Sequence, residues 1–187
     1  MEITIRKAEL SDLEQIRTLV KEVHSLHVSN RPDIYEDVDD PFTEERFRNM
    51  LEDLKTEAFL AFSGDELTAY AFVKYIPTPK IDLLKQYLVC YIDDFCVKSS
   101  YHRKGVGKKL FEYIKHRAVE KGAATLDLTV WEFNSNAIKF YESLGMKTKN
   151  RRLELRLNSI KELNKEVSKE PLEFNYSAEE LRELNRN

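Results

Sequence analysis

A chain of 187 residues with 42% apolar side chains suits one domain that buries roughly 70% of its unfolded surface. A net charge of -3 is not the basic footprint of a nucleic-acid binder, and no stretch approaches the roughly 18 apolar residues of a membrane span. The start, MEITIRKAEL, lacks a basic and apolar leader, so the expectation is a soluble cytoplasmic protein with no nucleic-acid and no membrane partner.

Ile3 to Ala8 reads as a strand, and Ser11 with Glu14 forms the pattern of a capping box. Leu13, Ile16, Val20, Val23 and His27 then recur at helical spacing, predicting a helix to about Val28. Pro32, Pro41 and the acids between them break it into a loop. A second helix, about Thr43 to Lys55, presents Phe47, Leu51 and Leu54.

Two aromatic-rich runs around Gly64-Asp65 predict a β-hairpin. Tyr87 to Val97 is a strand too continuously apolar to have a wet face. After a glycine-containing loop, Val106, Leu110, Ile114 and Ala118 share one face of a helix that Gly122 ends. TLDLTVWEF is a strand, and NSNAIKFYESLG is a short helix capped by Asn134 or Ser135. RRLELRL is a further strand, with Leu153, Leu155 and Leu157 on one face. The order β-α-α-β-β-β-α-β-α-β defines an α/β domain with a partly antiparallel sheet over residues 1–157. Residues 158–187 turn polar and charged, and Ser177 with Glu180 suggests a helical C-terminal extension.

Cys90 and Cys96 would lie about 20 Å apart in an extended strand, which excludes a disulfide between them. Without CxxC spacing or a histidine cluster they read as core residues rather than metal ligands, so no metal is expected. Charge is polarised. Lys98, Arg103, Lys104, Lys108 and Lys109, with His102, form a run without acids, whereas Glu36, Asp37, Asp39 and Asp40 form one without bases.

The basic run contains Gly105 and Gly107 at a strand-to-helix turn, where unpaired N–H groups and the positive end of the helix dipole favour a phosphate. An ordinary tight turn with a solvated basic face fits the spacing equally well. A Walker loop is excluded, because one residue separates the glycines and Lys109 stands where the magnesium-binding hydroxyl belongs. A dinucleotide fingerprint fails at Leu110, where its third glycine should be.

FCVKSSYHRKGVGKKLFEYIKHRA followed by LTVWEFNSNAIKFYESLGM resembles the GNAT N-acetyltransferase superfamily, with some likeness to its polyamine and diamine-type members. Those proteins carry Arg/Gln-x-x-Gly-x-Gly/Ala opening a helix after a strand, and later an Asn-to-Tyr segment ending in Leu-Gly-Phe or similar. The motifs cover about Ile92 to Met146, and His102 stands where the pattern has Arg or Gln. The resemblance implies a GNAT-like fold with acetyl-CoA as co-substrate. Arg103, Lys104, Gly105, Val106, Gly107 and Lys108 would line its pyrophosphate, and the main chain of Phe95, Cys96 and Val97 would hold its pantetheine arm. Asn134 would contact it further along, and Tyr141 would face its sulfur. Common family behaviour also suggests a homodimer.

Acetyl transfer to an amine needs a neutral amine, an oxyanion donor and a proton for the departing thiolate. A lysine-like amine is neutral in about one molecule in 2,500 at pH 7, equivalent to about 4.6 kcal/mol, so some group must take its proton. Tyr141 is the candidate acid, although Ala137, Phe140, Tyr141 and Leu144 also form a helical core stripe. Asp93 is the candidate base, at the place of a glutamate in polyamine-type members, with Asp94, Glu132 or a water relay as alternatives. A bulge would break strand parity, so alternation does not decide between Asp93 and Asp94. A backbone N–H near Val97 is the candidate oxyanion donor. The acidic run suits a small cationic or peptide amine, or is a solvated surface. The reading is direct acetyl transfer in a ternary complex, with a silent acyl-CoA-binding module on the same fold as alternative.

Overall fold

Strands that are apolar at nearly every position need cover on both faces, and the computed structural model, which describes residues 1–156, supplies it. Strands β1 (Thr4–Lys7), β2 (Thr56–Ser63), β3 (Glu66–Pro77), β4 (Leu88–Val97) and β5 (Ala123–Leu128) form one sheet in sequence order. The first three pairings are antiparallel, and β4 pairs with β5 in parallel. The helices are α1 (Leu13–Asn30), α2 (Glu44–Glu52), α3 (Val106–Glu120) and α4 (Ser135–Ser143). All of this lies in one unit, Met1–Lys147, and the remaining described residues open a second, Thr148–Asn187.

Alternation on β2 assigns the layers. Ala58, Leu60 and Phe62 pack with Leu13, Ile16 and Leu19 of α1 and with Phe47 of α2. Phe59 and Ala61 face the other way, in the cluster of Val106, Leu110 and Ile114 of α3. Ile16, Phe47 and Leu110 are fully buried, each worth about 1.5–3 kcal/mol relative to exposure. Gly64, at φ 60, turns the chain between Ser63 and its partner Glu66, as the hairpin required.

One charged group is set into this apolar frame. Glu57 of β2, 7% exposed, receives the Arg117 guanidinium at 2.8 Å, the Lys7 ammonium at 2.7 Å and the Tyr75 hydroxyl at 2.9 Å. Burial alone would raise its pKa, but Arg117, Lys7 and Tyr75 together hold it down at about 2. The network ties β1, β2, β3 and α3 together.

Four local expectations are corrected. The capping contact before α1 is made by Asp12, whose carboxylate accepts from Glu9 N–H at 2.8 Å and from Arg6, so the pair Ser11 and Glu14 is not the one used. Leu54 is 96% exposed because α2 stops at Glu52, leaving Phe47 as its buried anchor. β5 ends at Leu128, since Thr129 to Phe133 leave the ladder. No strand forms over 151–156: Leu153 and Leu155 are 90% and 83% exposed, and an alternating segment gains nothing from extension without a ladder partner. The expected extension at 158–187 lies outside the described residues. Among them, no helix is long and apolar enough to cross a membrane.

Candidate active site

The site begins where β5 stops and β4 continues. Their parallel register runs from Leu88↔Ala123 to Ile92↔Leu128, while β4 goes on to Val97 beside β3. Lys98 N–H bonds Thr68 O at 2.8 Å, so the Lys98 N–H and the backbone groups of Cys96 turn to β3. Phe95 and Val97 therefore present theirs to the side that β5 has left. An extended ligand finds an open strand edge there.

That edge runs into the glycine loop. A short 3-10 turn, Ser99–Tyr101, is fastened to β3 by Glu66, which accepts from the Lys98 ammonium and the Tyr101 hydroxyl, each at 2.6 Å. Gly105 caps α3 with φ 82, a left-handed conformation, and has open space where a Cβ would stand. Gly107 is glycine for a different reason: a Cβ there would meet Phe140 Cζ at 3.1 Å and Val97 Cγ2 at 3.2 Å. The first i to i-4 bond of α3 runs from Lys109 N–H to Gly105 O, so the amides just before Lys109 point out of the helix end unpaired by it. Arg103 and Lys108 make no ion pair among the described residues.

The two acids are placed together by a register shift. Phe72 pairs with Asp94 and Val73 with Ile92, leaving Asp93 as the extra residue of a bulge. Tyr70 OH donates to Asp94 at 2.8 Å, and Lys74 Nζ lies 2.8 Å from Asp93. Tyr70, Phe72 and Lys74 alternate onto the α1 face, so both carboxylates are on that face. Burial raises the Asp94 pKa, the Tyr70 hydrogen bond opposes the rise and the Asp93 charge adds to it. Asp93 is the more exposed of the two and is paired with Lys74.

Tyr141 of α4 packs its ring near Phe95, at 6.2 Å, and Phe111, at 6.5 Å. Burial raises its pKa, with the Asp94 and Cys96 charges contributing, and so the phenol keeps its proton at neutral pH. Asn134 caps α4 by accepting from Ala137 N–H at 3.2 Å. Its oxygen serves the cap, while its amide nitrogen offers two further donors. Cys96 is buried, its pKa raised chiefly by that burial, which disfavours the thiolate. Glu132 is exposed.

On the α1 side, Trp131 Nε1 donates to Tyr35 OH at 3.1 Å, and the Tyr35 ring stacks on His27 at 4.9 Å. Arg31 lies 4.9 Å over Trp131 and pairs with Asp33. This aromatic clasp joins the loop after α1 to the loop after β5. Of the acidic run, Asp40 pairs with Arg17, whereas Glu36, Asp37 and Asp39 are exposed. Sequence reasoning missed Tyr70, Glu66 and the clasp, because their partners lie far along the chain and only the register brings them together. A surface hollow lined by Thr4, Arg6 and Phe62 lies at the β1 edge, away from the cleft, and Arg6 there is paired with Asp12. No group of three metal-ligating side chains occurs among the described residues.

Comparison with known proteins defines the family. The acetyltransferase (GNAT) family profile matches residues 20–146, more than half of the chain, and the chain belongs to that family. It is 35% identical over 95 residues to an L-ornithine N5-acetyltransferase of Arabidopsis thaliana, covering 51% of this chain and 41% of that one. It is 34% identical over 55 residues to a thialysine N-epsilon-acetyltransferase of Bos taurus, covering 29% and 32%. These stretches span less than half the length of either relative. A mutant of the BH1408 protein of Bacillus halodurans superposes with a TM-score of 0.80 at 29% identity, over 83% of this chain and 99% of that one.

Proposed function

We propose that the chain is an N-acetyltransferase that moves the acetyl group of acetyl-CoA directly to a primary amine of a small cationic acceptor. The observation that carries this reading is the continuity of the open Phe95–Val97 edge with the glycine loop. The unpaired N–H groups around Gly105 to Lys108, with Arg103, Lys104 and Lys108, would hold the pyrophosphate. The exposed main chain of Phe95 and Val97, with Cys96 between them, would hold the pantetheine arm as an added strand. Val97 N–H would stabilise negative charge developing on the thioester oxygen.

The acceptor would enter from the α1 face, where Asp93, with Asp94 beside it, would take the ammonium proton, directly or through water. As the amine nitrogen bonds to the acetyl carbon and the C–S bond breaks, Tyr141 would give its proton to the thiolate. Family membership supports acetyl-CoA as co-substrate. The names of the ornithine and thialysine enzymes support an acceptor with a side-chain amine, and the exposed Glu36, Asp37 and Asp39 of the loop after α1 suit its charge.

Thermal-shift titration with acetyl-CoA, followed by thiol release over a panel of diamines, ornithine and lysine analogues, tests the reading. Binding and release with at least one cationic amine are expected. Binding without release would mark a silent acyl-CoA module, and no binding would defeat the reading.

A further inference from the structure

We infer that His102 is a positioning residue that locks the end of β4 to the glycine loop, so that strand edge and phosphate cradle form one rigid groove. This rests on the proposed place of acetyl-CoA along both. The His102 Nε2 lies 2.8 Å from the Val97 carbonyl oxygen. A carbonyl only accepts, so this nitrogen carries the proton and donates.

The same peptide unit is held from its other side, where Lys98 N–H bonds Thr68 O at 2.8 Å. The plane between Val97 and Lys98 is thereby pinned at both polar atoms, one by the sheet and one by the loop. The turn between them is closed by Tyr101 N–H on Lys98 O at 2.8 Å and His102 N–H on Ser99 O at 3.2 Å. Directly after His102, Arg103 holds φ 58, an uncommon conformation for a residue with a Cβ. Such a conformation persists where its surroundings over-determine it, and the His102 side chain is the link that reaches back to the strand.

The bond also shapes what the groove offers. Val97 directs both its carbonyl and its N–H toward the side vacated by β5. With one acceptor position of the carbonyl taken by His102, the N–H becomes the principal group the strand end offers a ligand.

Three variants test this: His102→Ala, which removes the donor, and His102→Gln and His102→Arg, which restore a side-chain N–H. By calorimetric titration, His102→Ala is expected to bind acetyl-CoA roughly five- to tenfold more weakly, as loss of one hydrogen bond implies. At least one of the other two should recover most of the loss. In steady state the KM for acetyl-CoA should rise by a similar factor, with a smaller change in kcat. In the ligand-free protein, amide exchange at Lys98, Tyr101 and His102 should accelerate in His102→Ala and slow again in the restoring variant.

Unchanged exchange and affinity in His102→Ala would overturn the inference, and so would a loss that neither donor variant recovers. A wild-type protein that binds no acetyl-CoA would defeat the cofactor reading instead, while exchange in the free protein would still show whether His102 holds the loop.

Discussion

Gly105 and Gly107 are one residue apart and are glycine for unrelated reasons. Gly105 needs φ 82, so Gly105→Ala is expected to cost about 1–2 kcal/mol in chemical denaturation even though its surroundings are open. Gly107 is wedged against Phe140 and Val97, so Gly107→Ala must displace a ring or the helix start. For the chemistry, Tyr141→Phe should lower kcat by about a hundredfold or more and leave acetyl-CoA affinity unchanged; an unchanged kcat would remove the phenol from the mechanism. The acid pair is testable by pH. Burial raises Asp94, and the Tyr70 hydrogen bond opposes that rise. Tyr70→Phe should therefore raise the Asp94 pKa further and move the acid limb of kcat/KM to higher pH. A limb that stays in place would show that Asp94 takes no part. The glycine turn into α3 and the helix carrying Tyr141 were legible from spacing and resemblance. The sharing of one face by Asp93 and Asp94 was not, because the bulge that produces it leaves no mark in the alternation. His102 looked like a departure from the Arg/Gln pattern, yet all three side chains carry an N–H donor, and here that donor reaches Val97.

Among the elements, the hairpin at Gly64-Asp65, the strand β4 and the helix α3 were readable because periodicity and turn chemistry agree, although β4 is half-buried along most of its length. The ends were less so. The stop of β5 at Leu128 is set by loss of a ladder, not by a breaker residue, since Thr129-Val130-Trp131 has strong strand propensity. That stop opens the cleft. The join of β1, β2, β3 and α3 at Glu57 gives an element-level test. Its folded pKa of about 2 lies below the unfolded value, so its contribution is complete above the ordinary carboxylate range and is lost as pH falls toward 2. Glu57→Gln is expected to lower unfolding free energy by about 3 kcal/mol at pH 7, with the difference from wild type shrinking below about pH 4. A difference independent of pH would assign the loss to packing instead.

At the scale of the whole unit, the sheet separates two chemical environments that the cleft connects. On one side α3 brings its positive end and the cations of the glycine loop; on the other, the carboxylate pair faces the α1 layer. The basic run was visible in the sequence, but its meeting with the open end of β4 depends on that strand outrunning β5. If both charged patches act in binding, added salt should raise KM for acetyl-CoA and for the cationic acceptor together. An acceptor that proves neutral or anionic would contradict the role given to the acidic run. The central claim, that the free edge of β4 and the glycine loop form one groove for acetyl-CoA, is tested most directly by residue-resolved amide hydrogen exchange with and without acetyl-CoA. Slowed exchange at Phe95, Val97 and the amides of Gly105 to Lys108 is the expected result. Saturating acetyl-CoA that leaves those amides unchanged, or protects a different surface, would contradict it.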